Sequence, residues 1–144
     1  FGRHGQFRGP ASAAELTMTP ELRHLDTAEI YDTLLVLTAM GAAEPAAPVE
    51  GFAVRKAIAQ RLNPVLWNYA IHGDSISVNM APATGGGVAI PQVEQVFLLA
   101  RYRGEDPVAF LKKTFGSNVE GDLDRGYDHF LTHRLPLLQR LGIA

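Results

Sequence analysis

Apolar residues recur at helical spacing through most of this chain, and capping residues divide the pattern into separate helices. Asp26 is a typical N-cap residue, and Glu29 three residues later completes a capping box. Gly41 is placed to end the same helix. Between these signals, apolar residues recur at helical spacing, at Ala28, Ile30, Tyr31, Leu34, Leu35 and Leu37. The pattern predicts a mostly α-helical protein, built as a compact multi-helix domain.

Similar signals predict the later helices. We expect a helix over residues 49–62, with inward side chains at Phe52, Ile58 and Leu62. Asn63 and Pro64 indicate a break and a restart, with Asn63 as the N-cap and Pro64 in the first helical position. Further helices are expected over residues 64–73, 91–103, 107–115 and 123–134, with a turn at 117–122 and a bend or a restart at Pro136.

Residues 75–90 depart from helical spacing. Ile76, Val78 and Met80 alternate with polar residues, which is the period-2 pattern of a short strand. The sequence APATGGG follows. This segment is either a hairpin with a glycine tip or an irregular loop with extended flanks. Because three consecutive glycines do not fix a strand register, we favour the loop.

The first 25 residues are rich in Gly, Ala and Arg and contain few large apolar side chains. We interpret residues 1–25 as an extended arm or linker and residues 26–144 as a single helical domain, a size that one domain accommodates. Since the chain begins with Phe1 rather than Met, we expect further residues upstream in the coding frame.

Composition narrows the classes of function. The chain has 13 basic and 15 acidic residues, a net charge of −2, so it lacks the basic excess of a dedicated nucleic-acid binder. It has no cysteine, which excludes disulfides, zinc–thiolate sites and thiol nucleophiles and fits a reducing cytoplasm. No apolar run approaches the ~20 residues that span a bilayer. We expect a cytoplasmic protein with neither a membrane nor a nucleic-acid partner.

The glycine triplet Gly85, Gly86 and Gly87 is the first candidate site, because glycines let a backbone approach a phosphate. The triplet matches neither the P-loop nor the dinucleotide-binding pattern, so a turn is the alternative. Loops carry binding residues more often than cores do. We therefore select the loop around Pro82 and the triplet, together with a basic cluster that contains Arg101 and Arg103, as ligand or partner contacts.

His129 and His133 are the second candidate, since residues four apart share one face of a helix and two imidazoles can bind a metal. The sequence HFLTH lacks the glutamate that zinc proteases use as a base. A third ligand has to come from elsewhere, with Glu120, Asp122 or Asp124 close in sequence. The alternative is a solvated helical face. No serine lies in a nucleophile-elbow pattern, and we predict no catalytic residue in this chain.

Three segments resemble a known family: RLNPVLWNYAIHG, MAPATGGGVAIPQVEQVFLLARYRGEDPVAFL and HRLPLLQRLGIA. They are similar to the C-terminal portion of bacterial SAM-dependent methyltransferases that carry a methyltransferase regulatory domain. The resemblance covers about residues 62–144. The matching positions are Ala81, Pro82 and the glycine triplet, then Glu94 and Gln95, and finally the terminal Leu-Pro-x-Leu and Leu-Gly-Ile sequences. The stretch between Phe115 and Tyr127 is shorter than the family pattern.

The resemblance implies that any methyl transfer takes place in another domain, because nothing here matches a nucleotide-binding half. S-adenosylmethionine is then a cofactor of the parent protein and not of this chain. The implied role is a non-catalytic accessory or regulatory domain that contacts its own upstream domain or a protein substrate.

Two other classes remain open. In a winged-helix DNA-binding module, residues 26–72 supply the helices and 75–90 the wing, although the acidic balance argues against it. In a small metal-binding protein, His129 and His133 supply the ligands.

Overall fold

Helices make up most of the described chain, which confirms the mostly α-helical prediction. The computed structural model describes residues 11–40, 43, 45–73, 76–116 and 122–144. It separates two compact units, Phe1–Ala46 and Ala47–Ala144. The boundary therefore lies in the proline-containing segment after the first predicted helix, whereas the sequence interpretation starts a single domain at residue 26.

The described part of the first unit contains α1 (Ala13–Thr17), a 3-10 helix (Pro20–Leu22) and α2 (Thr27–Ala39). Ser12 and Glu15 start α1 as a capping box, in which each backbone N–H donates to the other residue's side chain. The described residues before α2 thus differ from the extended arm expected over 1–25, because this capping box begins a helix there. Residues 1–10 lie outside the described residues.

α2 begins as the sequence predicts. The Asp26 N–H donates to Glu29 Oε2 and the Glu29 N–H donates to Asp26 Oδ1, both at 2.8 Å. Of the apolar residues that recur along it at helical spacing, Ile30 is buried and Leu34 is half-buried. The remaining four are exposed: Ala28, Tyr31, Leu35 and Leu37. The expected stop at Gly41 lies outside the described residues.

The second unit begins with α3 (Phe52–Ala70), which continues through Pro64. The predicted break was wrong, and Asn63 is a buried helical residue rather than an N-cap. Its side-chain amide bonds to the backbone of Met80 and of Ile143. An internal proline removes one helical hydrogen bond. Asn63, directly before this proline, joins α3 to the hairpin and to the C-terminal residues through its side chain.

A hairpin follows, with β1 (Val78–Ala81) antiparallel to β2 (Gly86–Ala89). The hairpin alternative was right and the favoured irregular loop was wrong. Two features, one outside the glycine triplet and one within it, help to fix the hairpin. Asn63 bonds to both backbone groups of Met80, and Gly85, at φ +72°, closes the four-residue turn in the left-handed region.

α4 (Gln92–Arg103) is the central helix of this unit. Six consecutive residues, from Gln95 to Ala100, are buried, so the helix is covered on all sides in its middle turns. Gly104 ends it in the left-handed conformation, as expected. α5 (Pro107–Phe115) starts where Asp106 Oδ1 accepts a hydrogen bond from the Ala109 N–H.

The C-terminal helix changes its winding. α6 (Leu123–His129) passes into a π-helical turn (Phe130–Arg134) and then α7 (Leu135–Leu141). Pro136 has no N–H and its ring crowds the carbonyl four residues earlier, so the preceding turn widens. The sequence predicts a bend or a restart at Pro136, and an α-helical segment restarts there, with Pro136 in its first turn. The turn expected over 117–122 lies outside the described residues apart from its last position.

The core of the second unit is built around α4. It includes Trp67 of α3, Ile90 after the hairpin and Phe130 of the π-helical turn, with Phe97, Leu99, Phe110, Leu111, Leu138 and Ile143. Each such side chain contributes roughly 1.5–3 kcal/mol when fully buried. Among the described helices, none has the length and apolar character needed to cross a membrane.

Candidate functional site

The loop selected from the sequence is the turn of the hairpin. Pro82 is buried, and a Cβ at Gly142 would lie only 3.1 Å from its ring. Its carbonyl accepts from Arg55 Nε at 2.9 Å. The N–H groups of Gly85 and Gly86 donate within the turn, to the Ala81 carbonyl and Thr84 Oγ1. Gly86 and Gly87 are exposed residues of β2. The geometry gives this segment a structural role in packing the hairpin.

Arg101 and Arg103 lie at the other end of the adjoining helix, in the last turn of α4. Arg101 donates to the Tyr127 hydroxyl at 3.2 Å, and Arg103 donates to Asn68 Oδ1 at 2.7 Å. Arg103 also lies 5.6 Å from the centre of the Phe110 ring. Among the described residues, the two arginines share no hydrogen-bond partner with the hairpin turn. The structure therefore does not bring the arginines and the hairpin turn together as one site.

His129 and His133 do come together. Their rings are stacked with centroids 4.5 Å apart, both residues are exposed, and His133 Nδ1 lies 3.3 Å from the His129 carbonyl. The described residues contain no group of three or more His, Asp or Glu side chains that could hold a metal ion. Glu120, one of the candidate third ligands, lies outside them.

α3 has an exposed apolar surface that the sequence interpretation missed. Its members, which we call the α3 stripe, follow one another at intervals of four, four, three and four residues. They are Val54, Ile58, Leu62, Val65 and Tyr69, with exposed fractions of 65, 49, 42, 51 and 57%. At 100° per residue they lie within roughly 80° of the helix circumference. Since Ile58 and Leu62 belong to the stripe, their inward assignment was wrong.

The buried face of α3 explains the exposed stripe. It carries Ala59, Asn63, Trp67 and Ala70. The two alanines are smaller than the residues of the stripe, Asn63 is more polar, and Trp67 packs in the core. Arg55 adds to that side, where it donates to the carbonyls of Pro82, Glu50 and Pro48. Short side chains let neighbouring elements approach the helix. The signal available in the sequence was a helix with apolar residues on two faces, of which only one can face a single core.

One edge of the α3 stripe is basic. α3 contains Arg55, Lys56 and Arg61 and no acidic residue. Arg61 is exposed and, seven residues after Val54, lies about 20° outside the stripe. Asn68 lies two turns further along the same edge and accepts the hydrogen bond from Arg103. We call Arg61 and Arg103 the basic edge. This combination of an apolar stripe and charged border is typical of a surface that binds protein.

Comparison with known proteins gives one relative. An uncharacterized protein of Synechocystis sp. is 24% identical over 152 aligned positions, which cover 94% of this chain and 30% of the relative. This chain thus spans less than a third of the length of the relative that it matches. No family model matches the sequence, and no solved structure matches it.

Proposed function

We propose that this chain is a non-catalytic accessory domain of a methyltransferase-like protein, and that it contacts the catalytic domain or a protein substrate. The α3 stripe is the observation that carries the proposal. Five apolar side chains, each 42–65% exposed, form a continuous line along a helix of 19 residues. A contiguous apolar surface beside charged residues favours a binding role over a purely structural one.

The packing of the resembling segments also supports the proposal. Asn63 of the first segment bonds to Met80 of the second and to Ile143 of the third. Pro82 of the second segment packs on Gly142 of the third. Side chains and turns that hold one unit together are expected to recur in relatives that share that unit. The residues that carry the resemblance thus include ones that pack the hairpin, α3 and the C-terminal residues together.

The length of the relative fits a domain within a longer protein, because the match covers 94% of this chain but 30% of the relative. In the proposal, S-adenosylmethionine is bound by another domain. A cytoplasmic location and the absence of a nucleic-acid partner belong to the same proposal, on the grounds of cysteine content and net charge.

Titration of the purified chain with S-adenosylmethionine tests the non-catalytic part. We expect no heat of binding in calorimetry and no methyl transfer to protein extracts. Saturable binding by this chain alone would contradict the proposal.

Sequencing the coding frame upstream of Phe1 tests the link to methyltransferases. We expect a strand, a glycine-rich loop and a helix with a following acidic residue, the pattern of a nucleotide-binding half. If the upstream domain belongs to another class, the methyltransferase assignment is wrong. The binding role of the α3 stripe does not depend on that result and is tested separately.

A further inference from the structure

We propose that the partner of the α3 stripe is an amphipathic α-helix whose apolar face is bordered by acidic side chains. The proposal deepens the binding role given above and rests on it. Three observations carry it: the spacing and width of the stripe, the charge of its edge, and the position of Arg61 beside the midpoint of the stripe.

The shape of the α3 stripe fits a helix. Val54 and Tyr69 are 15 residues apart, so the stripe is about 22 Å long, or roughly four helical turns. Its intervals of four, four, three and four residues match the seam along which two helices pack side by side. A stripe of roughly 80° is narrower than the ≳100° face of a helix that lies against a core or a lipid surface. The narrow seam therefore favours a single helix as the occupant.

The positive charge of the basic edge indicates which residues border the apolar face of the partner helix. Among the described residues, no carboxylate pairs with Arg61 or Arg103. The partners of Arg103 that the structure describes are the neutral amide of Asn68 and the ring of Phe110, and neither carries a negative charge. Acidic residues beside the partner's apolar face would lie opposite these guanidinium groups. Such flanking charges determine which helices pair more than how tightly they pair.

A second copy of this chain fits the surface poorly. The midpoint of the α3 stripe falls between Arg61 and Leu62. In a two-fold antiparallel pair, equivalent residues at the midpoint meet across the axis. The Arg61 side chains of the two copies would then lie close together, and like charges at this place disfavour self-pairing. An acidic helix removes the repulsion and adds attraction.

Two designed peptides test the proposal on the full chain. The acidic probe is a labelled 21-residue helix with Leu at heptad positions a and d and Glu at e and g, and the matched probe has Lys in place of Glu. We expect fluorescence anisotropy to show saturable binding of the Glu peptide, at least tenfold tighter than the Lys peptide and weaker at high salt. The double variant Arg61→Glu with Arg103→Glu is expected to reverse this preference.

Val65 and Val78 offer a matched pair of substitutions, since both are valines with 51 and 53% exposure and Val78 lies in the hairpin. We expect Val65→Asp to weaken binding of the Glu peptide at least tenfold and Val78→Asp to leave it within twofold. Unchanged circular dichroism spectra show that both variants fold. If Val65→Asp does not fold, the single variant Arg61→Glu tests the proposal instead, because it reverses one surface charge. We then expect this variant to lose the preference for the Glu peptide over the Lys peptide.

Four outcomes would overturn the proposal. The first is absence of binding by either peptide, and the second is equal binding of both. The third is a dimer in light scattering that Val65→Asp dissociates, which assigns the stripe to a second copy. The fourth is sedimentation with phosphatidylcholine–phosphatidylserine vesicles that Val65→Asp abolishes. None of these depends on S-adenosylmethionine, so failure here and failure of the non-catalytic assignment are distinguishable.

Discussion

The side-chain amide of Asn63 pairs with the backbone of Met80 as a neighbouring strand would. Its Nδ2 donates to the Met80 carbonyl at 3.0 Å, and the Met80 N–H donates to its Oδ1 at 2.9 Å. The same Nδ2 lies 3.4 Å from the Ile143 carbonyl. Asn63 is fully buried, so one side chain joins α3, the first hairpin strand and the C-terminal residues.

Replacing Asn63 should therefore destabilise the protein strongly. We expect Asn63→Leu to lower the free energy of unfolding by about 2–4 kcal/mol, because both backbone groups of Met80 lose their side-chain partner. Urea denaturation followed by the fluorescence of Trp67, the single tryptophan, measures this. Asn68→Leu on the same helix is the control, with an expected loss below about 1 kcal/mol. Equal effects of the two substitutions would show that the Met80 contacts contribute little.

Gly87 gives a second test of the hairpin register. A Cβ at this position would collide with the side chain of Val78, whereas one at Gly86 meets only Thr84 Oγ1 at 3.9 Å. We expect Gly87→Ala to destabilise by about 1–3 kcal/mol and Gly86→Ala to have a much smaller effect. Val78→Ala should largely rescue Gly87→Ala in a double-mutant cycle by thermal denaturation. Additive effects would mean that the two side chains do not meet.

Glu15 gives a pH-dependent prediction. The hydrogen bond from the backbone N–H of Ser12, followed by that from its hydroxyl, lowers the pKa of Glu15 below its ordinary value of 4.5. A lowered folded-state pKa means that the ionised carboxylate stabilises α1 above pH 4.5 and that this contribution is lost as pH falls through the folded pKa. A carbon-13 NMR titration should show the lowered pKa, and Ser12→Ala should raise it part of the way back. An ordinary pKa in the native chain would contradict the hydrogen bonds from Ser12 to the Glu15 carboxylate.

Local signals predicted several helix boundaries correctly. Asp26, Asp106 and Gly104 act in the structure as their chemistry indicates. The sequence assigned Asn63 to a helix cap because its hydrogen-bond partners are 17 and 80 residues away and so lie outside any local pattern. A pattern within a short window cannot distinguish an asparagine that caps a helix from one that bonds across the fold.

The candidate surface was harder to predict for a related reason. Helical spacing identified Ile58 and Leu62 as one face of α3 but could not decide which face meets the core. The choice is made by Ala59 and Asn63, whose small size and hydrogen-bonding capacity suit the approach of the hairpin. Arg103 was selected from the sequence as part of a basic cluster, and the structure places it beside Asn68. Its position along the α3 stripe depends on how α4 packs.

The ion pair between Glu94 and Arg134 should contribute little to stability. Arg134 Nε lies 3.0 and 3.1 Å from the two carboxylate oxygens of Glu94. The side chain of Glu94 is 17% exposed and that of Arg134 is 32% exposed. Partly exposed pairs are screened by solvent and salt. We expect Glu94→Gln to cost at most about 1 kcal/mol in urea denaturation, with a smaller loss in 1 M salt. A loss above 3 kcal/mol would indicate a buried pair.

Metal addition separates the two interpretations of His129 and His133. Two stacked imidazoles supply at most two ligands, and a stable zinc site needs at least three from the protein. We therefore expect zinc to change the melting temperature of the chain by no more than it changes that of the double variant His129→Ala with His133→Ala. Thermal denaturation at pH 7.5, with equimolar zinc or with EDTA, makes the comparison. A rise of several degrees that is specific to the unsubstituted chain would require a third ligand and would favour the metal-binding class over an accessory domain.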